Sequence, residues 1–270
     1  STCPGQASAG RCRQAGGRVR EERQHRQEDA AHDGPRAHRL HIDVRVSVTV
    51  AALIEVGGAG GHRLSAWRAE PSVRAKGGIV VLHAVYGATT HMGDVCARWA
   101  AAGYTAVAPA LFDRIARDRI HAYDKPADGT KDYTALTEAQ IFADITACVG
   151  AAGGRAAISG FCTGGTWAWR AAAAMDFPAQ VNFYGSHIPA FIDLSLRCPT
   201  ILHYGDRDHV VPMAEVEKIR SRHPDVEMHV YAGAGHAFEN VEQANYNAAA
   251  GDLAWARSIA FMDRWVGNRP

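Results

Sequence analysis

No stretch of this 270-residue chain approaches the roughly 18 consecutive apolar residues of a membrane-spanning helix. A membrane protein of the helical kind is therefore not expected. The chain also lacks any Cys-x-x-Cys pair. Its six cysteines, Cys3, Cys12, Cys96, Cys148, Cys162 and Cys198, are scattered. That spacing argues against both a disulfide framework and a thiolate metal site, and no metal or cofactor is expected. Charge of one sign is missing too. The net charge of +1 gives no general pull toward nucleic acid or an anionic membrane. Residues 1–40 have almost no large apolar side chains and no aromatics. Such a segment cannot bury enough surface to offset its ordering entropy. We read 1–40 as a disordered or non-native leader and 41–270 as one domain. The leader has no apolar run of a secretory signal and too many acids for a transit peptide. Without stacking aromatics it is a poor nucleic-acid tail. With no export signal, the expected compartment is the reducing cytoplasm.

What is present is enough apolar residue, 47%, for a sizeable core. Strand-like and helix-like runs alternate along it. Leu53–Val56 and Leu64–Ala69 flank a glycine run and predict an early hairpin. Helices are predicted over Val95–Ala102, from Thr137 to Val149 behind a Thr137/Gln140 capping box, over Met213–Ser221, and over Ala248–Val266. Alternation of this kind predicts an α/β fold: a doubly wound, mostly parallel sheet with helices on both faces.

The densest signal is Gly160-Phe161-Cys162-Thr163-Gly164-Gly165. It follows the apolar run Ala156-Ala157-Ile158-Ser159 and precedes an alanine-rich helical pattern. Strand, Gly-x-nucleophile-x-Gly, helix is the layout of a nucleophile elbow, with a cysteine where a serine is usual. Taken alone, Cys162 reads more readily as a small buried apolar residue than as a catalyst. Two later loops change the weighting. Asp206 and Asp208 lie in Gly205–Pro212, just after the strand pattern Pro199–Tyr204. His236 lies in Gly233-Ala234-Gly235-His236-Ala237-Phe238, after the strand pattern Val226–Tyr231. Nucleophile, acid and histidine thus come in α/β-hydrolase order, each after a predicted strand, on the edge where such sheets carry their sites.

These residues, with Gly78–Gly87 and Gly103–Phe112, resemble the dienelactone hydrolase family of α/β-hydrolases, from about Gly61 to Val266. The resemblance implies a hydrolase of small esters or lactones, a carboxymethylenebutenolidase or a broader carboxylesterase, with a Cys162, Asp208, His236 triad. The family's acid stands four residues before the proline, which selects Asp208 over Asp206. A thiol with a free pKa of about 8.5 needs a partner to ionise at neutral pH. His236 would take its proton, Asp208 would hold the ring, and the Val85 and Thr163 N–H groups would form the oxyanion hole. Tyr86, Phe161, Arg114 and Asn240 are the substrate-binding candidates.

Two departures from the family stand out. Ala84 occupies the position of a glutamate that contacts the resting thiol in relatives, and His83 is its neighbour. Asn240, preceded by Glu239, stands where an arginine holds the carboxylate of the namesake dienelactone. Glu239 in that place would repel an anionic substrate. The expected partner is therefore a small-molecule ester or lactone, with the chain a monomer or a weak homodimer and no nucleic acid or membrane involved. The alternative prompted by Ala84 is a degenerate member that binds a small ligand or senses oxidants through Cys162.

Overall fold

A computed structural model describes residues 50–267. Eight strands form one sheet in the order β1-β2-β4-β3-β5-β6-β7-β8. They are β1 (Ala52–Gly57), β2 (Arg63–Ala69), β3 (Gly77–Leu82), β4 (Tyr104–Pro109), β5 (Ala156–Phe161), β6 (Gln180–Phe183), β7 (Thr200–Gly205) and β8 (Glu227–Tyr231). β1 and β2 form the predicted hairpin, and β2 pairs antiparallel with β4. Every other pairing is parallel. The leader proposed for 1–40 lies outside the described residues.

Strand periodicity divides the core in two. Successive side chains of a strand point to opposite faces. On β3, Ile79 and Val81 join one buried cluster while Val80 and Leu82 join the other. The first face is covered by α1 (Thr90–Ala101) and α6 (Ala248–Met262). The second is covered by α2 (Pro126–Ala135), α3 (Glu138–Ala151) and α4 (Thr163–Ala174). α5 (Met213–Arg222) lies beside α4, where its C-cap His223 meets the Trp169 ring at 4.8 Å between centroids. This is the doubly wound arrangement that the alternating pattern implies. Trp99 of α1 is completely buried, edge-on to Trp255 of α6 at 5.0 Å between ring centroids. Truncating it to alanine would cost about 3–5 kcal/mol.

Helix ends follow local chemistry. α3 opens on the expected capping box: Thr137 Oγ1 accepts from Gln140 N, and Gln140 Oε1 accepts from Thr137 N. Two boundaries and one whole helix differ from the sequence reading. α1 begins at Thr90, before its clear apolar periodicity, because His91, Met92 and Gly93 already pack inward. α6 gives way after Met262 to a π-type turn over Asp263–Gly267. α2 was not foreseen; its short sequence carries a glycine and a weak apolar stripe. Gly129 is there for space, since a Cβ would lie 1.6 Å from the Val85 carbonyl oxygen. That close approach fixes α2 against the loop leaving β3.

Parallel register then aligns the strand ends. Leu82 pairs with Gly160, Phe161 with Phe183, Phe183 with His203, and Gly205 with Tyr231. The loops after β3, β5, β6, β7 and β8 therefore emerge side by side at one carboxyl edge.

Candidate active site

Cys162 is the N-cap of α4 and adopts φ 53°, ψ −120°. Its N–H donates to the Phe183 carbonyl at 3.0 Å. Its own carbonyl accepts from the Thr166 and Ser186 N–H groups, each at 3.2 Å. The tight turn requires bare backbone beside it. A Cβ on Gly160 would lie 2.2 Å from the Gly164 oxygen, and one on Gly164 would lie 2.4 Å from the His83 and Leu82 oxygens. Four described non-glycine residues have positive φ: Asp118, Cys162, Tyr184 and Ala237. The last three line one cavity. Strain of this kind persists only where surrounding structure enforces it.

That cavity has a volume of about 290 Å³. Cys162 and His236 face into it, along with Ala84, Val85, Tyr86, Phe161 and Thr163. Asp208 stands behind His236. Its Oδ2 is 2.8 Å from His236 Nδ1, while Oδ1 accepts from the Val210 and Val211 N–H groups at 2.8 and 2.9 Å. Asp206 is instead exposed, and its carboxylate accepts from Gly233 N at 2.7 Å. Asp208 is thus the acid that reaches the histidine. With Nδ1–H given to Asp208, His236 Nε2 is the free basic nitrogen. It is buried without a hydrogen-bond partner among the described residues.

The electrostatics couple the two reactive groups. Burial alone would push the Cys162 pKa up, but the charge of His236, with the nearby hydroxyls of Ser186 and Thr163, brings it below the ordinary thiol value. Burial alone would push His236 down, but the thiolate and Asp208 outweigh it and hold its pKa up to about 10. In this conformation the attraction is chiefly through space, since Nε2 has no direct partner. The two groups titrate as a pair. The amino end of α4 adds a favourable dipole beneath the sulfur. Neither the Val85 nor the Thr163 N–H donates to a carbonyl among the described residues. Thr163 opens α4, so its N–H has no acceptor within the helix. Both donors are available to an oxyanion.

The candidate binding residues divide. Tyr86, Phe161 and Asn240 line the cavity. Arg114 does not. Its guanidinium makes two bonds of 2.7 and 2.8 Å to Asp144, a fully buried acid of α3, and it is spent there. Glu239 also departs from expectation. It turns inward, where its carboxylate accepts from the Tyr184 hydroxyl at 2.7 Å and lies 3.1 Å from His91 Nε2. It faces no substrate. His83 is likewise structural: its Nε2 accepts from Leu111 N at 3.3 Å and its Nδ1 lies 2.7 Å from the Ala84 oxygen. Burial pushes its pKa down to about 4, so it stays neutral. His209 lines the cavity, but His203 is buried in the sheet between Tyr231 and Ser258.

Sequence reasoning missed several lining residues. Tyr123, Ser186, His187, Gln243 and Asn245 all face the cavity. Tyr184 lies with its ring 4.8 Å from that of His236. The one available signal was position: Tyr184 and Ser186 directly follow a strand whose end had to lie on the site edge.

The dienelactone hydrolase family profile matches residues 64–266. A protein of Escherichia coli K12, provisionally named a carboxymethylenebutenolidase, is 29% identical over 212 residues, covering 71% of this chain and 78% of that one. A Methylorubrum extorquens protein with the same provisional name is 30% identical over 220 residues, covering 72% and 74%. A crystal structure of a provisionally named dienelactone hydrolase from Klebsiella pneumoniae superposes with a TM-score of 0.68 at 26% identity, covering 82% of this chain and 99% of that one. The chain belongs to the dienelactone hydrolase family and is an ester or lactone hydrolase. No helix among the described residues is long and apolar enough to cross a membrane.

Proposed function

We propose that this member of the dienelactone hydrolase family cleaves small, uncharged esters or lactones through a covalent thioester on Cys162. The observation that carries the reading is the Cys162, His236, Asp208 constellation at the floor of a cavity whose lining, among the described residues, includes no lysine or arginine. The Cys162 proton passes to His236 Nε2, and the thiolate attacks the carbonyl carbon. Negative charge gathers on the carbonyl oxygen, facing the Val85 and Thr163 N–H groups. Collapse breaks the bond to the alkoxy oxygen, which takes the proton from His236 as it leaves. In a lactone that oxygen stays tethered to the acyl chain. Water then gives a proton to His236 and attacks the thioester. The acid departs, and the sulfur leaves as thiolate. Asp208 holds the ring in one tautomer.

Tyr86, Phe161 and Asn240 supply an aromatic wall and one carboxamide for the substrate. The name that these relatives carry points to a carboxymethylated butenolide, whose carboxylate would seek a cation. With Arg114 paired to Asp144 and Asn240 neutral, that preference loses its support in this chain. A reactive thiol suits a reducing compartment, so the cytoplasm is the proposed location. Turnover of short p-nitrophenyl esters, neutral butenolides and the anionic dienelactone tests the reading. Neutral substrates should match or exceed the anionic one, and Cys162→Ala should lower all rates by at least about a thousandfold. Retained turnover in Cys162→Ala would remove the nucleophile assignment. A strong preference for the anionic lactone would remove the substrate assignment.

A further inference from the structure

The sulfur of Cys162 has polar neighbours besides His236. It lies 3.9 Å from Thr163 Oγ1. Thr163 Oγ1 lies 3.5 Å from Ser186 Oγ, and Ser186 Oγ lies 2.8 Å from His187 Nδ1. Backbone fixes each member. Ser186 N–H donates to the Cys162 carbonyl, and His187 N–H donates to Thr166 Oγ1 at 3.0 Å. Ser186 is buried, whereas His187 is exposed, on a ridge between the cavity and a shallow groove that also contacts Thr163. A row of hydroxyls therefore runs from the nucleophile to a surface imidazole.

We propose that this row stabilises the resting thiolate of Cys162. Ser186 acts as a positioning residue that turns the Thr163 hydroxyl onto the sulfur, with His187 setting the direction of donation. The inference rests on the nucleophile reading above. With the proton on Nδ1, His187 donates to Ser186 Oγ. The Ser186 hydroxyl is then free to donate to Thr163 Oγ1, and Thr163 to the sulfur. No bond to hydrogen breaks along the row; the thiol proton itself goes to His236. The 3.5 and 3.9 Å separations are long for neutral partners. They are expected to shorten once sulfur is charged, because hydrogen bonds to an ionised acceptor are shorter and stronger.

The other groups facing the sulfur do not supply this support. Tyr86 from the β3–α1 loop, Tyr133 from α2 and Tyr184 at the end of β6 all sense its charge. Burial pushes each phenol above its ordinary value, so each stays neutral. Charge near the sulfur comes from His236, with Asp208 behind it. Around His187, Arg170 of α4 is paired with Glu138 and stacked 4.0 Å over Trp167. A carboxylate at position 84 would disfavour the resting thiolate, whereas hydroxyl donors favour it.

The test is the pH dependence of iodoacetamide alkylation of the resting protein, followed on the Cys162 peptide by mass spectrometry. Burial drives the Cys96 and Cys148 thiols well above the ordinary range and Cys198 up to about 11, so Cys162 is set apart among the described cysteines. Ser186→Ala should move the Cys162 profile up by about one pKa unit, about tenfold less thiolate on its acid side. Thr163→Val keeps shape and the backbone N–H, and should give a similar shift. The double variant should shift no further than either single, because the two hydroxyls act in series. His187→Ala, at an exposed position, should shift it by about threefold. Profiles within about twofold of wild type for Ser186→Ala and Thr163→Val, or strictly additive shifts, would overturn the proposal. Alkylation does not need turnover. The fate of this inference is therefore read separately from that of the nucleophile assignment, which Cys162→Ala turnover decides.

Discussion

At the floor of the cavity, Cys162 is gripped by main chain. Its N–H and carbonyl are bonded to Phe183, Thr166 and Ser186, and the glycines around it touch carbonyl oxygens directly. At the rim, side chains hold side chains. Tyr123 donates to Glu242, Asn240 Nδ2 reaches the Tyr123 hydroxyl at 3.4 Å, and Thr90 Oγ1 reaches Glu242 at 3.2 Å. Glu242 is exposed, so these bonds compete with water and contribute little stability each. The floor is built to keep atoms in place, and the rim to be rearranged at small cost. The contrast separates chemistry from selection: changes at the floor should strike the reaction itself, and changes at the rim should strike substrate affinity.

The sharpest break of that contrast lies in the two aspartates of one loop. Asp208→Asn should lower kcat/KM by about a thousandfold to ten-thousandfold, because an amide beside Nδ1 no longer fixes the tautomer that leaves Nε2 basic. Asp206→Asn alters only an exposed turn contact to Gly233 and should cost less than about threefold. Steady-state kinetics on one neutral ester ranks them, and the reverse ranking would reassign the acid.

Next comes Ala84, which lines the cavity beside the nucleophile. Ala84→Glu brings a carboxylate to a thiolate already paired with His236. A like charge disfavours the ionised sulfur, so resting alkylation at about pH 6 should slow by about tenfold. Unchanged alkylation would mean that residue 84 does not sense the sulfur. A rim change should leave that reaction alone. Tyr123→Phe removes the hydroxyl that joins Glu242 and Asn240, and should raise KM about two- to fivefold with kcat nearly constant. A loss confined to kcat would move Tyr123 from rim to floor.

The same division explains what could be read from the chain. The elbow was legible because its requirements are local: bare glycines within two residues of the nucleophile, a strand before and a helix after. The order of acid and histidine was legible because parallel strands deliver successive loops to one edge. Arg114, Glu239 and Tyr123 were not. Arg114 meets an acid 30 positions away, Glu239 a histidine 148 away, and Tyr123 a glutamate 119 away. No local period encodes such pairs, and a basic residue in a loop looks the same whether it faces substrate or a buried acid. Ser186 and His187 were hidden differently. They follow β6, and the bonds from Ser186 N–H to the Cys162 carbonyl and from His187 N–H to Thr166 Oγ1 turn them toward the sulfur.

Glu239 ties rim to floor, and it gives the smallest and most conditional effect. It sits three residues past His236, accepts from the Tyr184 hydroxyl, and faces His91 of α1. Burial alone would lower the His91 pKa, but the Glu239 carboxylate outweighs it and leaves the value raised. A histidine with a raised folded pKa stabilises the fold fully below its unfolded value of about 6.5. That contribution is lost as pH rises through the folded value. Glu239→Gln keeps an acceptor for Tyr184 and removes the charge. Its melting temperature should therefore fall below wild type at about pH 6, by about 2–4 °C for a loss near 1 kcal/mol. The gap should narrow as pH rises through the raised folded value of His91. A gap that is constant or widens with pH would show that the Glu239 charge does not act through His91, and the rim would then not be anchored to the floor by that ion pair.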